Sequence, residues 1–217
     1  FFGAADDVPF AAAKQLVADH VAGRPLAHPE AFARRMRAYL FRYGLGTFSA
    51  GMAAIDLALW DMYAKLLGVP VGVAMGGEAR SVPVYRTFEF GLTTEENCEL
   101  SAAAFDEGMA GVKLHVYPTV EDERTIHAVA ELARDRDRPF MLDSTRRCTL
   151  TQAIHLADVA AEAGALWFEE PIPESDLEAC EILARSSRIA IATGEALKSL
   201  GEAQVFLSRH LCATLQP

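Results

Sequence analysis

Charged side chains recur in this sequence where short apolar segments end. Residues 111–116 read GVKLHV, so Lys113 and His115 alternate with three apolar residues. Alternate side chains of a β-strand share a face, so Lys113 and His115 would point together into one interior. A buried lysine needs a carboxylate or a bound anion as its partner, and a neutral histidine accepts a proton near pH 7. The pair therefore predicts acid–base chemistry beside negative charge, although a histidine in this place could also be a hydrogen-bonded core residue.

Three acidic residues follow at equal spacing. Asp143 ends FMLD, Glu169 lies in WFEE and Glu195 ends IAIATGE, and 26 residues separate each acid from the next. On adjacent parallel strands these carboxylates would converge and repel one another unless a cation lay between them. Oxygen ligands suit a hard cation such as Mg²⁺. The spacing favours a magnesium site, although each acid taken alone could instead cap a helix or pair with an arginine.

The elements that would position these side chains are short strands alternating with amphipathic helices. We predict strands near residues 82–87, 111–116, 139–143, 165–170, 189–195 and 212–216, with helices between them. This alternation indicates βα units and a parallel sheet. A dinucleotide-binding fold would need a glycine-rich turn after its first strand, and VPVYRTFEFGLTTEE has none. A (β/α) barrel is favoured, because such barrels carry their chemistry at the carboxyl ends of the strands.

The first part of the chain has a helical pattern. FAAAKQLVADHVAG, PEAFARRMRAYLFRYG and SAGMAAIDLALWDMYAKLLG repeat apolar residues at helical steps, with Ser49 as the expected N-cap of the third helix and Gly68 as its stop. GVPVGVAMGG is expected to be a turn-rich link. We therefore divide the chain into a helical part, residues 1–80, and a barrel part with strands one to six, residues 81–217.

Bulk properties exclude several functional classes. The chain has 217 residues, is 51% hydrophobic and carries a net charge of −10, which argues against nucleic acid as a partner. No apolar run is long enough to span a bilayer, so no membrane partner is expected. The four cysteines are widely spaced without a C-x-x-C pair, which predicts a reduced, cytoplasmic protein.

The ordered set of motifs resembles the mandelate racemase/muconate lactonizing enzyme family of the enolase superfamily. AAIDLALWDMYAKLLGVPVGVAMGG is similar to the segment that enters the barrel of that family, and GVKLHV stands where the family has a K-x-K strand. FMLDS, WFEEP and ATGE match the strand ends that supply its metal ligands. The resemblance implies a modified (β/α)7β TIM barrel with an N-terminal capping domain. Against that pattern, the last barrel strands and the N-terminal β-meander are lacking, so we expect a longer enzyme.

The resemblance also implies roles for individual residues. Asp143, Glu169 and Glu195 would bind Mg²⁺, Lys113 would bind the substrate carboxylate or its enolate, and His115 would stand where many members have a base. Candidates beside the ligands or against the substrate are Glu170, Thr145, Arg86 and Arg146.

Three departures from the family pattern qualify these roles. K-x-H replaces K-x-K, so a histidine replaces the lysine base or only binds substrate. DST replaces the common D-A-N, which puts Thr145 where an asparagine is usual. The sixth-strand aspartate and the seventh-strand histidine of the family have no counterpart in the sequence.

The resemblance implies Mg²⁺-dependent abstraction of the proton α to a carboxylate. Our leading hypothesis is a lyase that dehydrates a sugar acid to a 2-keto-3-deoxy acid. A racemase, epimerase or cycloisomerase is the alternative on the same scaffold, and a catalytically silent paralogue or fragment is a third. We expect a small-molecule carboxylate as the partner and a homo-oligomeric assembly.

Overall fold

The computed structural model describes residues 7–25, 28–43 and 46–216. The chain divides into two compact units, residues 1–81 and 82–217. This division falls one residue from the predicted domain boundary; that the first unit caps a barrel stays a prediction. Within the described ranges, no helix combines the length and the apolar character that a membrane span requires.

Four helices form the described part of the first unit. They are α1 (Asp7–His20), α2 (Pro29–Tyr43), α3 (Gly46–Leu67) and α4 (Val71–Ala74). The apolar faces of α1, α2 and α3 meet in a small core that contains Leu16 and Met36, both almost fully buried, together with Phe32, Ile55 and Leu59. The three predicted long helices are therefore present.

Two details of this unit differ from the prediction. Ser49 lies inside α3 rather than at its N-cap, because the helix begins at Gly46. The alanine- and leucine-rich sequence has high helix propensity and propagates the helix through the serine. Gly68 is the predicted stop, since it follows the last helical residue with a φ of +69°. The link that follows, expected to consist of turns, contains the four-residue helix α4.

The second unit alternates strands and helices. The strands are β1 (Tyr85–Thr87), β2 (Gly111–His115), β3 (Phe140–Asp143), β4 (Trp167–Glu169), β5 (Ala190–Thr193) and β6 (Thr214–Leu215). Between them lie α5 (Thr94–Asp106), α6 (Val120–Asp135), α7 (Leu150–Ala163), α8 (Leu177–Ser186) and α9 (Leu200–Ser208). All neighbouring strands are parallel, in the order β1-β2-β3-β4-β5-β6.

Local signals fix where these helices begin. Thr93 and Thr149 each accept a backbone hydrogen bond three residues ahead and form reciprocal capping boxes at α5 and α7. Thr119 and Ser199 cap α6 and α9 in the same way with their hydroxyls. Because each cap follows closely on a strand end, it turns the chain out of the sheet and fixes a short loop at the carboxyl edge.

The sheet has two faces of different character. Outward side chains such as Val112, Leu114, Leu142 and Phe168 are fully buried in the main apolar core, against the helices. Inward side chains meet across the sheet: the rings of Tyr85 and Trp167 are 5.8 Å apart, although two strands separate β1 from β4. A flat sheet would hold these rings apart, so the six strands curl as in a barrel wall.

The predicted α/β fold with a parallel, barrel-type sheet is confirmed. Each predicted strand interval contains one observed strand, and every observed strand is shorter than its interval. The excess residues lie at the ends, where the chain leaves the ladder to begin a loop. One of the predicted ligands, Glu195, lies in such a loop, two residues after the end of β5.

Candidate active site

The carboxyl ends of β2, β3 and β4 bring three of the predicted side chains into one row. His115 pairs in register with Asp143, and Asp143 pairs with Glu169. Residues in register on parallel strands present their side chains to the same face about 4.8 Å apart. The sequence spacing of the acids is therefore converted by the sheet into direct proximity.

Lys113 lies one step below this row and reaches two of its members. Its Nζ donates to Asp143 Oδ2 at 2.9 Å and to Glu169 Oε2 at 2.8 Å. All three residues are less than a tenth exposed. A lone charge buried to this degree would be costly, and the two carboxylates on successive strands offset the ammonium. Lys113 thus bridges β3 and β4 from β2.

The charge state of Lys113 follows from this geometry. Burial alone would lower its pKa, but the hydrogen bonds and charges of Glu169 and Asp143 outweigh burial and raise the pKa above its ordinary value. The side chain is consequently an ammonium group that supplies positive charge to the interior of the sheet.

His115 is oriented by a backbone carbonyl. Its Nδ1 contacts the carbonyl oxygen of Phe88, just beyond the end of β1. Because a carbonyl only accepts hydrogen bonds, Nδ1 carries the hydrogen, and Nε2 is the nitrogen turned toward Asp143 Oδ2 at 3.3 Å. With Nδ1 engaged by the carbonyl, Nε2 is the ring nitrogen that faces the cluster and is placed to exchange a proton there.

The loop after β3 holds Asp143 in place through an unusual backbone. Thr145 donates to Asp143 Oδ1 from both its backbone nitrogen, at 2.8 Å, and its hydroxyl, at 3.1 Å. Thr145 and Arg146 have positive φ angles of 43° and 61°, and Glu170 after β4 has one of 40°. Left-handed conformations are strained in non-glycine residues, most of all in a β-branched threonine. The strain is concentrated at the loops that carry the candidate site.

Arg146 gathers a second set of acids beside the first. Its guanidinium lies 2.9 Å from Glu170 Oε2, 3.1 Å from Glu174 Oε1 and 3.2 Å from Glu195 Oε1. The Glu170 contact is an ion pair without hydrogen-bond geometry, since neither buried Glu170 carboxylate oxygen has a hydrogen-bond partner in the structure. Burial, followed by the charges of Glu195 and Glu174, raises the pKa of Glu170 to about 7.

The predicted metal ligands are only partly assembled. Asp143 and Glu169 share Lys113, whereas the Glu195 side chain is 57% exposed and pairs with Arg146. Across residues 7–25, 28–43 and 46–216, no group of three or more histidine, cysteine or acidic side chains is close enough to hold a metal ion. Lys113, His115, Asp143 and Glu169 therefore form one cluster, and Glu170, Arg146 and Glu195 form its neighbour.

The structure does not bring Arg86, a predicted substrate-binding candidate, to this site. Its guanidinium pairs with Glu107 at 2.8 Å, just beyond the end of α5. Arg86 is in register with the outward-facing Val112, whereas Thr87 is in register with Lys113. The period-two alternation of β1 thus turns Arg86 away from the interior, and its prediction as a contact of the substrate is corrected.

The donors present suit Mg²⁺ in type. Asp143 and Glu169 are buried oxygen donors whose carboxylates already share one cationic group, and oxygen-only ligation is what Mg²⁺ requires. Glu195 follows β5, the next strand of the sheet, so the same edge carries a third carboxylate. We take these three as the candidate ligands, with the Glu195 side chain needing to leave Arg146.

Sequence reasoning missed an aromatic group at the same edge. Phe90 packs on the His115 ring with 4.3 Å between centroids, and Tyr117 packs on Phe90 at 4.9 Å. Glu174, a partner of Arg146, was also missed. Phe90 and Tyr117 lie just beyond the ends of β1 and β2. The strand-end rule that identified the charged residues would have found them had it been applied to aromatic residues.

Comparisons with known proteins show which family and which enzymes this chain is similar to. The family model described as enolase C-terminal domain-like matches residues 98–217. An L-talarate/galactarate dehydratase of Salmonella typhimurium is 32% identical over 183 residues, covering 80% of this chain and 46% of the relative. A D-galactarolactone cycloisomerase of Agrobacterium fabrum is 34% identical over 156 residues, covering 69% and 41% of the two chains.

A solved structure extends the likeness to the fold. The L-talarate dehydratase from Polaromonas sp. JS666, crystallised with Mg and L-glucarate, superposes with a TM-score of 0.84 at 25% identity. The superposition covers 96% of this chain and 59% of the dehydratase. The chain spans about half the length of the curated relatives it matches.

The family model covers more than half of the chain and includes five of the six strands, with every residue of the Lys113 cluster. The curated relatives are dehydratases, cycloisomerases and synthases, so the likeness is to enzymes. On this evidence the chain belongs to the enolase superfamily, in the family described as enolase C-terminal domain-like.

Proposed function

We propose that this protein is a Mg²⁺-dependent lyase that dehydrates a sugar acid to a 2-keto-3-deoxy acid. The observation that carries the proposal is the buried Lys113 ammonium between Asp143 and Glu169, with His115 Nε2 3.3 Å from the Asp143 carboxylate. This arrangement combines fixed positive charge, oxygen ligands for a cation and a proton acceptor at one strand edge.

Bound Mg²⁺ would supply Lewis-acid stabilisation of negative charge on the substrate carboxylate. Asp143, Glu169 and Glu195 are the residues that would hold it. This proposal is supported by the donor types and by the magnesium in the similar L-talarate dehydratase crystal.

Lys113 provides electrostatic stabilisation that is already in place before the reaction. Its Nζ is fixed by two hydrogen bonds, so little reorganisation is needed when negative charge develops on a substrate carboxylate nearby. The α-proton of a carboxylate is weakly acidic, and a preorganised cation lowers the cost of removing it.

His115 is the proposed proton carrier. With Nδ1–H directed at the Phe88 carbonyl, Nε2 accepts the α-proton as the C–H bond breaks. The same nitrogen can return that proton to the β-hydroxyl group, which leaves as water when the C–O bond breaks. The resulting enol rearranges to the 2-keto-3-deoxy acid, so one histidine suffices when both groups lie on one face of the substrate.

An isomerase is the second candidate. It is favoured by the D-galactarolactone cycloisomerase relative, which is 34% identical. The two functions share proton abstraction and differ in whether a hydroxyl leaves. The cytoplasmic location and the homo-oligomeric assembly stay predictions from the sequence.

The proposed function is tested by incubating the protein with Mg²⁺ and a panel of sugar acids in deuterated water. We expect a 2-keto-3-deoxy product from at least one acid, detected as its semicarbazone, and no product when His115 is replaced by Asn. Exchange of the α-proton without loss of water would contradict the lyase and support the isomerase.

Calorimetric titration with Mg²⁺ tests the ligand set directly. We expect weaker binding in Asp143→Asn and Glu195→Gln, and unchanged binding in Asp135→Asn, which removes an exposed carboxylate at the end of α6. Absence of Mg²⁺ binding, or binding that Asp143→Asn leaves unchanged, would favour a catalytically silent protein.

A further inference from the structure

Arg147 lies on an aromatic platform, which we define as the rings of Phe90 and Tyr117. The guanidinium carbon Cζ is 4.8 Å from the Phe90 centroid and 5.0 Å from the Tyr117 centroid. Both distances are within the range of cation–π attraction, about 6 Å. The rings follow β1 and β2, and Arg147 follows β3. Three successive strand ends therefore build this unit at the same edge as the Lys113 cluster.

The platform is connected to the candidate base. Phe90 packs on the His115 ring with 4.3 Å between centroids and an interplanar angle of 36°. The same Phe90 ring carries the Arg147 guanidinium. The Phe90 ring thus contacts both the Arg147 guanidinium and the His115 imidazole. A short carbon chain can span the distance between these two groups.

Arg147 differs from the neighbouring Arg146 in what surrounds its guanidinium. Arg146 lies within 3.2 Å of three carboxylates. Within the described residues, Arg147 forms no ion pair with an acid, and its guanidinium lies over the two rings. Stacking holds a guanidinium through its face and leaves the N–H donors at its edge directed outward.

The backbone of Arg147 is anchored even though its side chain is exposed. Its nitrogen donates to the Ser144 carbonyl at 3.0 Å, and the following Cys148 nitrogen donates to the Pro171 carbonyl at 3.0 Å. Cys148 is buried, so the loop cannot move freely under the arginine. The anchored loop and the two rings therefore hold the Arg147 guanidinium in one position, which an arginine that only contacts solvent does not require.

We propose that Arg147 binds a second carboxylate of the substrate, so that the site selects sugar diacids over sugar monoacids. The inference rests on the proposed function, because it requires the first carboxylate to lie at the Lys113 cluster. A planar guanidinium matches a carboxylate in a two-point hydrogen-bonded pair. One cation balances one carboxylate, whereas a phosphate ester carries a charge of about −1.5 to −2. A carboxylate at the end of the substrate far from Lys113 therefore matches the single charge of Arg147 better than a phosphate ester does.

The test compares galactarate with galactonate, which differ in whether the far carbon is a carboxylate or a hydroxymethyl group. In Arg147→Gln we expect kcat/KM for galactarate to fall roughly 10- to 100-fold, the range for a lost charged hydrogen bond, mainly through KM. The value for galactonate should stay unchanged. Arg147→Lys keeps the charge without the planar pair and should fall between the wild type and Arg147→Gln.

A second substitution tests the role of the aromatic platform. Tyr117→Leu removes one ring beneath Arg147 without touching His115, and should weaken selection of galactarate about 2- to 5-fold, the range of one exposed cation–π contact. Arg138→Gln is the matched control, because this exposed arginine precedes β3 at the opposite end from Arg147. Equal effects of Arg147→Gln on both acids, or no effect, would overturn the inference while the lyase stands.

Inactivity on every acid would instead overturn the proposed function and leave Arg147 open to a binding test. Calorimetry with galactarate in the presence of Mg²⁺ then measures affinity directly in the wild type and in Arg147→Gln. Affinity at least 10-fold weaker in the variant supports the inference. Equal affinity, or no binding to the wild type, overturns it.

Discussion

The two faces of β2 explain why an apolar strand carries a lysine and a histidine. The strand positions alternate between a face packed on helices and a face lined with carboxylates, so Val112 and Leu114 are buried in the core while Lys113 pairs with Asp143 and Glu169. The sequence predicted this alternation, because the period of a strand is fixed at two. The tautomer of His115 was not predictable, since it depends on a carbonyl from a different strand.

Thr145 provides a prediction at the scale of a single residue. It adopts a φ of 43°, a conformation that asparagine tolerates and β-branched residues resist. We expect Thr145→Asn to raise the free energy of unfolding by about 1 kcal/mol through relief of this strain. Urea denaturation of the two proteins measures the change.

Thr149→Asn is the control for this substitution. Thr149 is the N-cap of α7 with an ordinary φ of −71°, and asparagine is an equivalent N-cap, so stability should hardly change. A loss of stability in Thr145→Asn, or an equal gain in Thr149→Asn, would contradict the strain argument.

Among the elements, the strand ends decide what the sequence could and could not predict. Acids spaced 26 residues apart were predicted to converge, and the register places Asp143 beside Glu169 as expected. Glu195 differs because β5 ends two residues earlier, at Thr193, and its side chain turns to Arg146. The spacing of residues in the sequence locates the loop correctly. The direction of a side chain within the loop depends on neighbouring charges, which the spacing does not reveal.

Gly194 tests how the loop after β5 is held. It adopts a φ of +145°, and a Cβ at this position would lie 2.6 Å from the carbonyl oxygen of Gln216. Gln216 in turn donates its backbone nitrogen to Thr193 at 2.9 Å, at the end of β6. Gly194→Ala should therefore strain the end of the β5–β6 ladder and lower the free energy of unfolding by about 2 kcal/mol or more.

Gly164→Ala separates the steric clash from the cost of positive φ. Gly164 ends α7 with a φ of +82° and has open space where a Cβ would lie, so its substitution should cost only about 1 kcal/mol. Urea denaturation of both variants gives the comparison. Equal losses of stability would show that the Gln216 contact does not constrain the loop.

At the scale of the whole molecule, the chain contains two separate cores. Leu16, Met36 and Leu59 lie in the core of the first unit, whereas the second core lies between the sheet and its helices, with residues such as Leu114 and Phe168. The sequence predicted this division from the change of texture at Ser81, because helical periodicity gives way to alternating strands and helices.

The connection between the two units gives the last prediction. Residues 77–84 have no regular secondary structure, and every one of them is exposed. Arg80 is in this stretch and is followed by Ser81, so trypsin can accept the bond. Proteases cleave exposed, extended chain much faster than helices or sheet ladders. We expect limited trypsin digestion to cut first after Arg80 and to release a fragment that begins at Ser81.

Mass spectrometry of the early products measures this order of cleavage, and Arg80→Gln should abolish the first cut. Arg136 is the informative comparison, because it is also exposed but caps the end of α6 with its backbone nitrogen bonded to the Leu132 carbonyl. If exposure of the arginine alone decided the rate of cleavage, trypsin would cut both sites equally fast. If freedom of the backbone decides it, trypsin cuts after Arg80 faster. Cleavage after Arg136 at the same rate or earlier would show that residues 77–84 are held by contacts as firm as those of a helix end.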